Sequence, residues 1–173
     1  MRLHTIFARL CLTVSLLLGV GHVKAATITF NGATIAGCSI SGNQYTCPSF
    51  NGSDDYTIAS GYSVIVNSGF TPQWAQIFTM SGTAALTAKG NISFNSINPS
   101  NLKVTGGTII ADGGSFVAGS GNGTVLGADI TATSVTLGGT AIKATGNITA
   151  TGIVDISAGS SVSGTINGGT VTL

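Results

Sequence analysis

A repeat of 18 residues near the end of the chain constrains the fold more than any other feature of the sequence. The segment DITATSV at residues 129–135 returns as NITATGI at 147–153 and as TINGGTV at 165–171, and 147 − 129 and 165 − 147 are both 18. β-Branched residues at fixed positions of a short period are typical of a parallel β-solenoid, in which each rung buries its apolar side only against neighbouring rungs. The sequence therefore predicts an all-β fold, a parallel β-helix with three-faced rungs of about 18 residues.

Apolar residues in the same register form the predicted core, since side chains alternate between the two sides of a strand. The predicted ladders are Ile92, Ile110, Ile130, Ile148 and Ile166 on one face, Val135, Ile153 and Val171 on a second, and more loosely Val125, Ile142 and Val162 on a third. A strict register would place Asp155 inward. We therefore expect a bulge that gives the inward place to Ile156.

The first 25 residues have the pattern of a bacterial secretory signal. Arg2 and Arg9 precede and flank an apolar run at residues 10–20, and small residues precede Ala26. The run is shorter than the roughly 20 residues that span a membrane. The sequence predicts a signal peptide at 1–25, an N-terminal β cap region at 26–71 and the solenoid at 72–173. The predicted location is the periplasm, the outer surface or the extracellular space, with no transmembrane span after signal removal.

The predicted mature chain is poor in the side chains that carry out chemistry. Residues 26–173 contain no His, Arg or Glu, and their three Lys and five Asp give a formal charge of 3 − 5 = −2. Without His or Arg the chain lacks the usual group that titrates near neutral pH and the bidentate anion clamp. We predict no catalytic residue, no metal, no cofactor and no nucleic-acid partner, since phosphate binding depends on clustered cations.

Cys38 and Cys47 are the two cysteines that remain after signal removal, and an even pair in an exported chain indicates a disulfide. The turn-forming residues 41–43 between them predict a hairpin that covers the first rung. Lipidation of Cys38 is the alternative, but Asn31 and Gly32 interrupt the apolar run that a lipoprotein signal requires.

Aromatic residues are the candidate ligand contacts. Trp74, Tyr62 and Tyr45 are candidates for stacking on sugar rings, and the alternative for Trp74 is packing within the cap. Asp54 and Asp55 are candidates for calcium, against the simpler interpretation of a solvated turn.

A polar ladder accompanies the repeat. Asp129, Asn147 and Thr165 occupy the same rung position, either as an outward binding stripe or as the solvated start of a strand. The sequence ends within the apolar face of a rung, which we interpret either as the front piece of a longer chain or as a surface for self-association.

Residues 146–166 (GNITATGIVDISAGSSVSGTI) resemble the rungs of polymer-forming bactofilin-type β-solenoids, with a Gly-Asn-Ile start, a Val/Ile strand and a Gly-Ser-Val-Ser-Gly corner. This resemblance extends over about residues 85–173. The signal and the cysteine hairpin are similar to the N-terminal parts of large surface proteins encoded with mannose-sensitive haemagglutinin-type pili in proteobacteria. Both resemblances imply a structural or assembly role outside the cytoplasm.

Three functions follow as hypotheses. The first is a non-enzymatic exported structural protein that associates with itself or with other surface or pilus components. The second is a carbohydrate-binding or adhesin module that uses the aromatic residues. The third is a polysaccharide-cleaving enzyme, which the register disfavours because the only solenoid carboxylates, Asp112, Asp129 and Asp155, do not form a facing pair.

Overall fold

The computed structural model describes residues 26–50, 53–119, 124–139, 141–157 and 159–173. The predicted signal peptide lies outside them. They contain strands and one short 3₁₀ helix, Pro99–Asn101, and no helix among them is long and apolar enough to cross a membrane. The strands, numbered in chain order, are β1 (Thr27–Phe30), β2 (Ser39–Ser41), β3 (Gln44–Cys47), β4 (Asp55–Ile58), β5 (Ser63–Val66), β6 (Phe78–Met80), β7 (Ala85–Ala88), β8 (Ile92–Ser93), β9 (Leu102–Val104), β10 (Thr108–Ala111), β11 (Ser115–Ala118), β12 (Val125–Leu126), β13 (Asp129–Ala132), β14 (Ser134–Leu137), β15 (Lys143–Ala144), β16 (Ile148–Ala150), β17 (Ile153–Ile156), β18 (Ser161–Val162), β19 (Ile166–Asn167) and β20 (Thr170–Thr172).

The strands form the three faces of a β-solenoid. Sheet A has the order β1-β4-β6-β9-β12-β15-β18, sheet B the order β2-β3-β5-β7-β10-β13-β16-β19, and sheet C the order β8-β11-β14-β17-β20. The chain visits A, B and C in turn and then returns to A one rung further along. Pairing between rungs is parallel throughout the described strands. The predicted fold class is confirmed.

The interior of sheet B follows the predicted register. Ile130 pairs with Ile148 and Ile148 with Ile166, both 18 positions apart, and the first two are fully buried. Ile166 is half-buried because β19 is the last described strand of its sheet. A second inward column is built from alanines, and Ala132 pairs with Ala150. The narrow interior at this position explains why only small side chains occupy it.

On sheet C the predicted register is wrong by one residue. Val135 pairs with Val154, 19 positions later, and Val154 with Val171, 17 positions later. Ile153 therefore points outward and is 55 % exposed. The cause is the corner between sheets B and C, which is the single residue Thr133 in one rung and two residues, 151–152, in the next.

The same shift resolves the position of Asp155 without a bulge. Asp155 pairs with Thr136 and Thr172 on the outer side of sheet C, while Ile156 is buried opposite Leu137. The prediction that Ile156 points inward is confirmed. Val171 belongs to the inward column, opposite Val154, but is 44 % exposed because β20 is the last described strand of sheet C.

The predicted ladder through Ile92 and Ile110 is wrong, because these residues belong to different sheets. Ile92 is buried in sheet C opposite Phe116, whereas Ile110 lies on the outer side of sheet B opposite Thr131. The buried partner of Ile130 is Ile109, 21 positions earlier (109 to 130). Rungs in this part of the chain are longer than 18 residues, so the 18-residue spacing of Ile92 and Ile110 is a coincidence.

The loose third ladder is also corrected. Val125 is exposed opposite Lys143, and the inward column of sheet A runs instead through Leu126, Ala144 and Val162. Ile142 is buried, but it lies in the corner before β15.

The start of the solenoid is covered by the hairpin of β2 and β3, which pair antiparallel. A Cys38–Cys47 disulfide closes this hairpin, as predicted. The other strands of the predicted cap region 26–71 belong to the same sheets as the rest, since β1 pairs with β4 and β3 with β5 in parallel register.

Aromatic rings fill the first rungs. Phe30 contacts Tyr45 edge to face at a centroid distance of 5.0 Å, and Phe50 stacks on Tyr56 at 4.1 Å. Further along the axis Phe94 packs edge to face on Phe116 at 5.6 Å. The wide aromatic core of the early rungs gives way to the narrow Ile, Val and Ala core of the 18-residue rungs.

Candidate binding surfaces

Trp74 lies on a corner loop, residues 71–77, that is held on both sides by hydrogen bonds. The backbone N–H of Asn98 donates to the Trp74 carbonyl at 3.2 Å, and the N–H of Ile77 donates to Asp55 Oδ1 at 2.8 Å. The tryptophan itself is 60 % exposed and takes part in none of the aromatic ring contacts of the described residues. It therefore presents an open ring on a fixed backbone and is not packed within the cap.

The two tyrosines do not join Trp74. Tyr45 is fully buried, and its hydroxyl accepts the N–H of Gly32 at 2.7 Å and donates to the Ala33 carbonyl at 2.8 Å. The prediction that Tyr45 stacks on a ligand is therefore wrong. Tyr62 is half-buried at the corner between sheets A and B, whereas Trp74 lies at the corner between sheets C and A. The structure brings no aromatic platform together from these three residues.

The aspartates at the start of β4 bind backbone. Asp54 Oδ1 accepts the N–H of Ala26 at 3.2 Å and Asp55 Oδ1 accepts that of Ile77. Each carboxylate thus joins its rung to an adjacent one. No group of three potential metal-ligating side chains occurs within the described parts of the chain.

The polar ladder of the repeat works in the same way. Asp129 Oδ1 accepts the N–H of Asn147 at 2.7 Å, and Asn147 Oδ1 accepts the N–H of Thr165 at 3.0 Å. Each side chain satisfies a corner amide that the sheet ladder leaves over. The ladder is a structural device at the start of the sheet B strands, which is the simpler of the two interpretations of the sequence.

The carboxylates of the solenoid are well separated. Asp129 lies opposite Thr108, four residues before Asp112, which places the two Asp backbones about 13 Å apart along the strand direction. Asp155 lies on sheet C. Paired carboxylates in glycosidases are about 5–9.5 Å apart. Asp112 instead forms a half-exposed ion pair with Lys89 of the preceding rung.

The outer side of sheet C is almost free of charge. Its outward residues alternate with buried ones, and only one is ionisable; they are Ser93, Ser115, Val117, Ser134, Thr136, Ile153, Asp155, Thr170 and Thr172. Ile153 is the large apolar residue exposed at its centre. We call these nine residues the outer face of sheet C.

A groove that the sequence did not predict lies at the corner between sheets B and C. It has a volume of about 160 Å³ and is lined by residues of three consecutive rungs, among them Ile110, Asp112, Gly113, Thr131, Thr133 and Thr151. We call it the corner groove. Its signal in the sequence is the change in corner length between rungs, which is visible only once the strands are placed.

No protein-family model matches the chain, and searches among curated proteins and solved structures found no match. The features that bear on function are therefore those of the structure itself. The Cys38–Cys47 disulfide indicates an oxidising environment outside the cytoplasm, because thiols in the cytosol are kept reduced.

Proposed function

We propose that this protein is a non-enzymatic structural protein exported to the bacterial cell surface, where it associates with further copies of itself or with other surface components. The observation that carries the proposal is the near-uncharged outer face of sheet C with Ile153 exposed at its centre. Surfaces with little charge favour association, and large exposed apolar side chains gain free energy when they are covered.

Two further observations support this proposal. The rungs are joined outside the sheets by side-chain bonds such as Asp129 to Asn147, which stabilise an extended stack without building a cavity. The resemblance of residues 146–166 to polymer-forming solenoids, and of the signal and cysteine hairpin to pilus-associated surface proteins, favours an assembly role after secretion. The large separation of the carboxylates supports the non-enzymatic part of the proposal.

The test is the size and shape of the purified chain, measured by light scattering after gel filtration and by negative-stain microscopy of the same fractions. We expect oligomers or filaments in the wild type. We expect Ile153→Lys to shift the distribution toward monomer, because a charge at this position must lose water when two faces meet. Thr149→Lys is the matched control, since it adds the same charge on the outer side of sheet B.

Two outcomes would contradict the proposal. A wild-type protein that stays monomeric at high concentration has no such self-association. If both lysine variants dissociate the oligomers equally, net charge rather than the outer face of sheet C controls assembly.

A carbohydrate-binding or adhesin module is the second candidate function, and one observation favours it. The exposed Trp74 on its fixed loop offers the apolar, electron-rich face on which sugar rings stack. Quenching or a blue shift of Trp74 fluorescence by soluble polysaccharides would support this function, and an unchanged spectrum across a broad panel would remove it.

A further inference from the structure

The corner groove arises from a difference in length between neighbouring corners. Residues 112–114 separate β10 from β11, whereas only Thr133 separates β13 from β14 in the next rung. The longer corner forms a turn in which the N–H of Gly114 donates to the Ala111 carbonyl at 3.2 Å, and Gly113 takes the positive φ of 74°. No atom lies within 4 Å of a Cβ built on Gly113, so this turn projects clear of the rung below it.

The walls of the groove are fixed. On the upper side, Asp112 is held by its ion pair with Lys89 of the preceding rung. On the lower side, the backbone N–H and the hydroxyl of Thr133 both donate to the Gly114 carbonyl, at 2.8 and 2.7 Å. The groove is thus a preformed feature of the stack, and a ligand would meet little ordering cost in the protein.

The lining is mixed in a particular way. Ile110 contributes an apolar wall, while Thr131 and Thr151 are exposed, and their hydroxyls make no hydrogen bond within the described residues. Asp112 adds a carboxylate that is half-exposed and can accept a further hydrogen bond. A fitting ligand therefore carries several hydroxyl groups around a body with apolar C–H faces.

The volume sets the size of that ligand. A cavity of about 150 Å³ accommodates one six-membered ring, and the corner groove measures about 160 Å³. A ring of this size with hydroxyl groups on its rim and C–H groups on its faces is a pyranose.

We propose that the corner groove binds one neutral pyranose ring of a polysaccharide or oligosaccharide. The ring lies against Ile110, its hydroxyls pair with Thr131 and Thr151, and one hydroxyl donates to Asp112. This site is distinct from Trp74, which lies at a different corner of the rungs, and it does not depend on self-association through the outer face of sheet C.

The experiment measures binding of cellohexaose, maltohexaose and chitohexaose to the full chain by isothermal titration calorimetry and by amide chemical-shift changes. We expect saturable binding of at least one hexaose, with shifts centred on Thr131 and Thr151. The double variant Thr131→Val/Thr151→Val should weaken it about tenfold or more, because each lost hydrogen bond contributes several-fold in affinity. Valine keeps the β-branched shape and the strand preference, so the fold is retained.

Thr149→Val is the matched control, since Thr149 is exposed on sheet B opposite Thr131 but does not line the groove. It should bind like the wild type. The proposal is overturned if no hexaose binds at millimolar concentration, if the double variant binds as tightly as the wild type, or if Trp74→Ala alone abolishes binding. A far-ultraviolet circular-dichroism spectrum equal to that of the wild type excludes misfolding as the cause of any loss.

Discussion

Ile148 and Ile153 show how the position of one residue in a rung decides its role. They are five residues apart in the same repeat, both β-branched, yet Ile148 is 1 % exposed and Ile153 is 55 % exposed. Ile148 packs between Ile130 and Ile166 in the interior of sheet B. The same chemical group is thus essential packing at one position and free surface at the other.

The two residues form a matched pair for mutation. Ile148→Asp should destabilise the fold by about 4 kcal/mol or more, because it buries a charge without a partner. Ile153→Asp should change the free energy of unfolding by less than about 0.5 kcal/mol. Urea titrations followed by circular dichroism measure both. Equal losses in the two variants would show that Ile153 points inward and that the register of sheet C is shifted by one residue.

How far single residues can be predicted from the sequence depends on the constancy of the period around them. Ile130, Ile148 and Ile166 are placed correctly because the corner before each of them has the same length. Ile153 is not, because one additional corner residue rotates the following strand outward. Tyr45 is misplaced since nothing in its local sequence reveals the Gly32 and Ala33 backbone partners that bury its hydroxyl.

At the scale of elements, the corners are as tightly specified as the strands. A Cβ on Gly146 would lie 2.2 Å from the Ala128 carbonyl oxygen of the rung below, and one on Gly164 would lie 2.2 Å from the Gly146 oxygen. These glycines are required by the close approach of successive corners. They form a column of bare backbone along the edge between sheets A and B.

Gly146→Ala should therefore destabilise the solenoid by about 1–3 kcal/mol, because backbone must shift to admit the methyl group. Gly138→Ala is the control, since the nearest atom to its Cβ would be a Thr136 methyl group at 3.6 Å. That variant should be neutral or slightly stabilised, by up to about 1 kcal/mol. Midpoints of thermal unfolding distinguish the two, and an equal effect would show that corner stacking is looser than the structure indicates.

The corners also explain which elements escape prediction. The early rungs are longer than 18 residues, so no fixed period connects them with the repeat. Their signal lies in the aromatics, since Phe94 and Phe116 are 22 positions apart (94 to 116) and pack against each other. Aromatic spacing, rather than aliphatic spacing, is the pattern that marks the wider rungs. The corner groove depends on differences between corner lengths and has no local pattern of its own.

At the scale of the whole molecule, each rung contacts chiefly the rungs before and after it, so stability is close to a sum of local terms. The hairpin closed by Cys38 and Cys47 lies at one end of this stack. Cys38→Ala/Cys47→Ala should lower stability by about 2–3 kcal/mol in the chain-entropy model for a loop of this length.

The location of that loss is the more informative measurement. Amide hydrogen exchange should accelerate in β2 and β3 and their immediate neighbours, while β13 and β16 keep their protection. A uniform acceleration along all three sheets would mean that the solenoid unfolds as one cooperative unit. The exposed last strand β20 should exchange fastest among the strands of sheet C in both proteins.

The parallel pairing of successive rungs also decides how the molecule responds to force. Its strand-to-strand hydrogen bonds point along the axis, so tension between the two ends of the chain loads them one rung at a time rather than all together. A stacked rung occupies about 5 Å of axis, while its 18 residues span about 60 Å when drawn out. A solenoid pulled from its ends thus releases slack in steps and behaves as an extensible tether, whereas a load across the axis meets every rung at once.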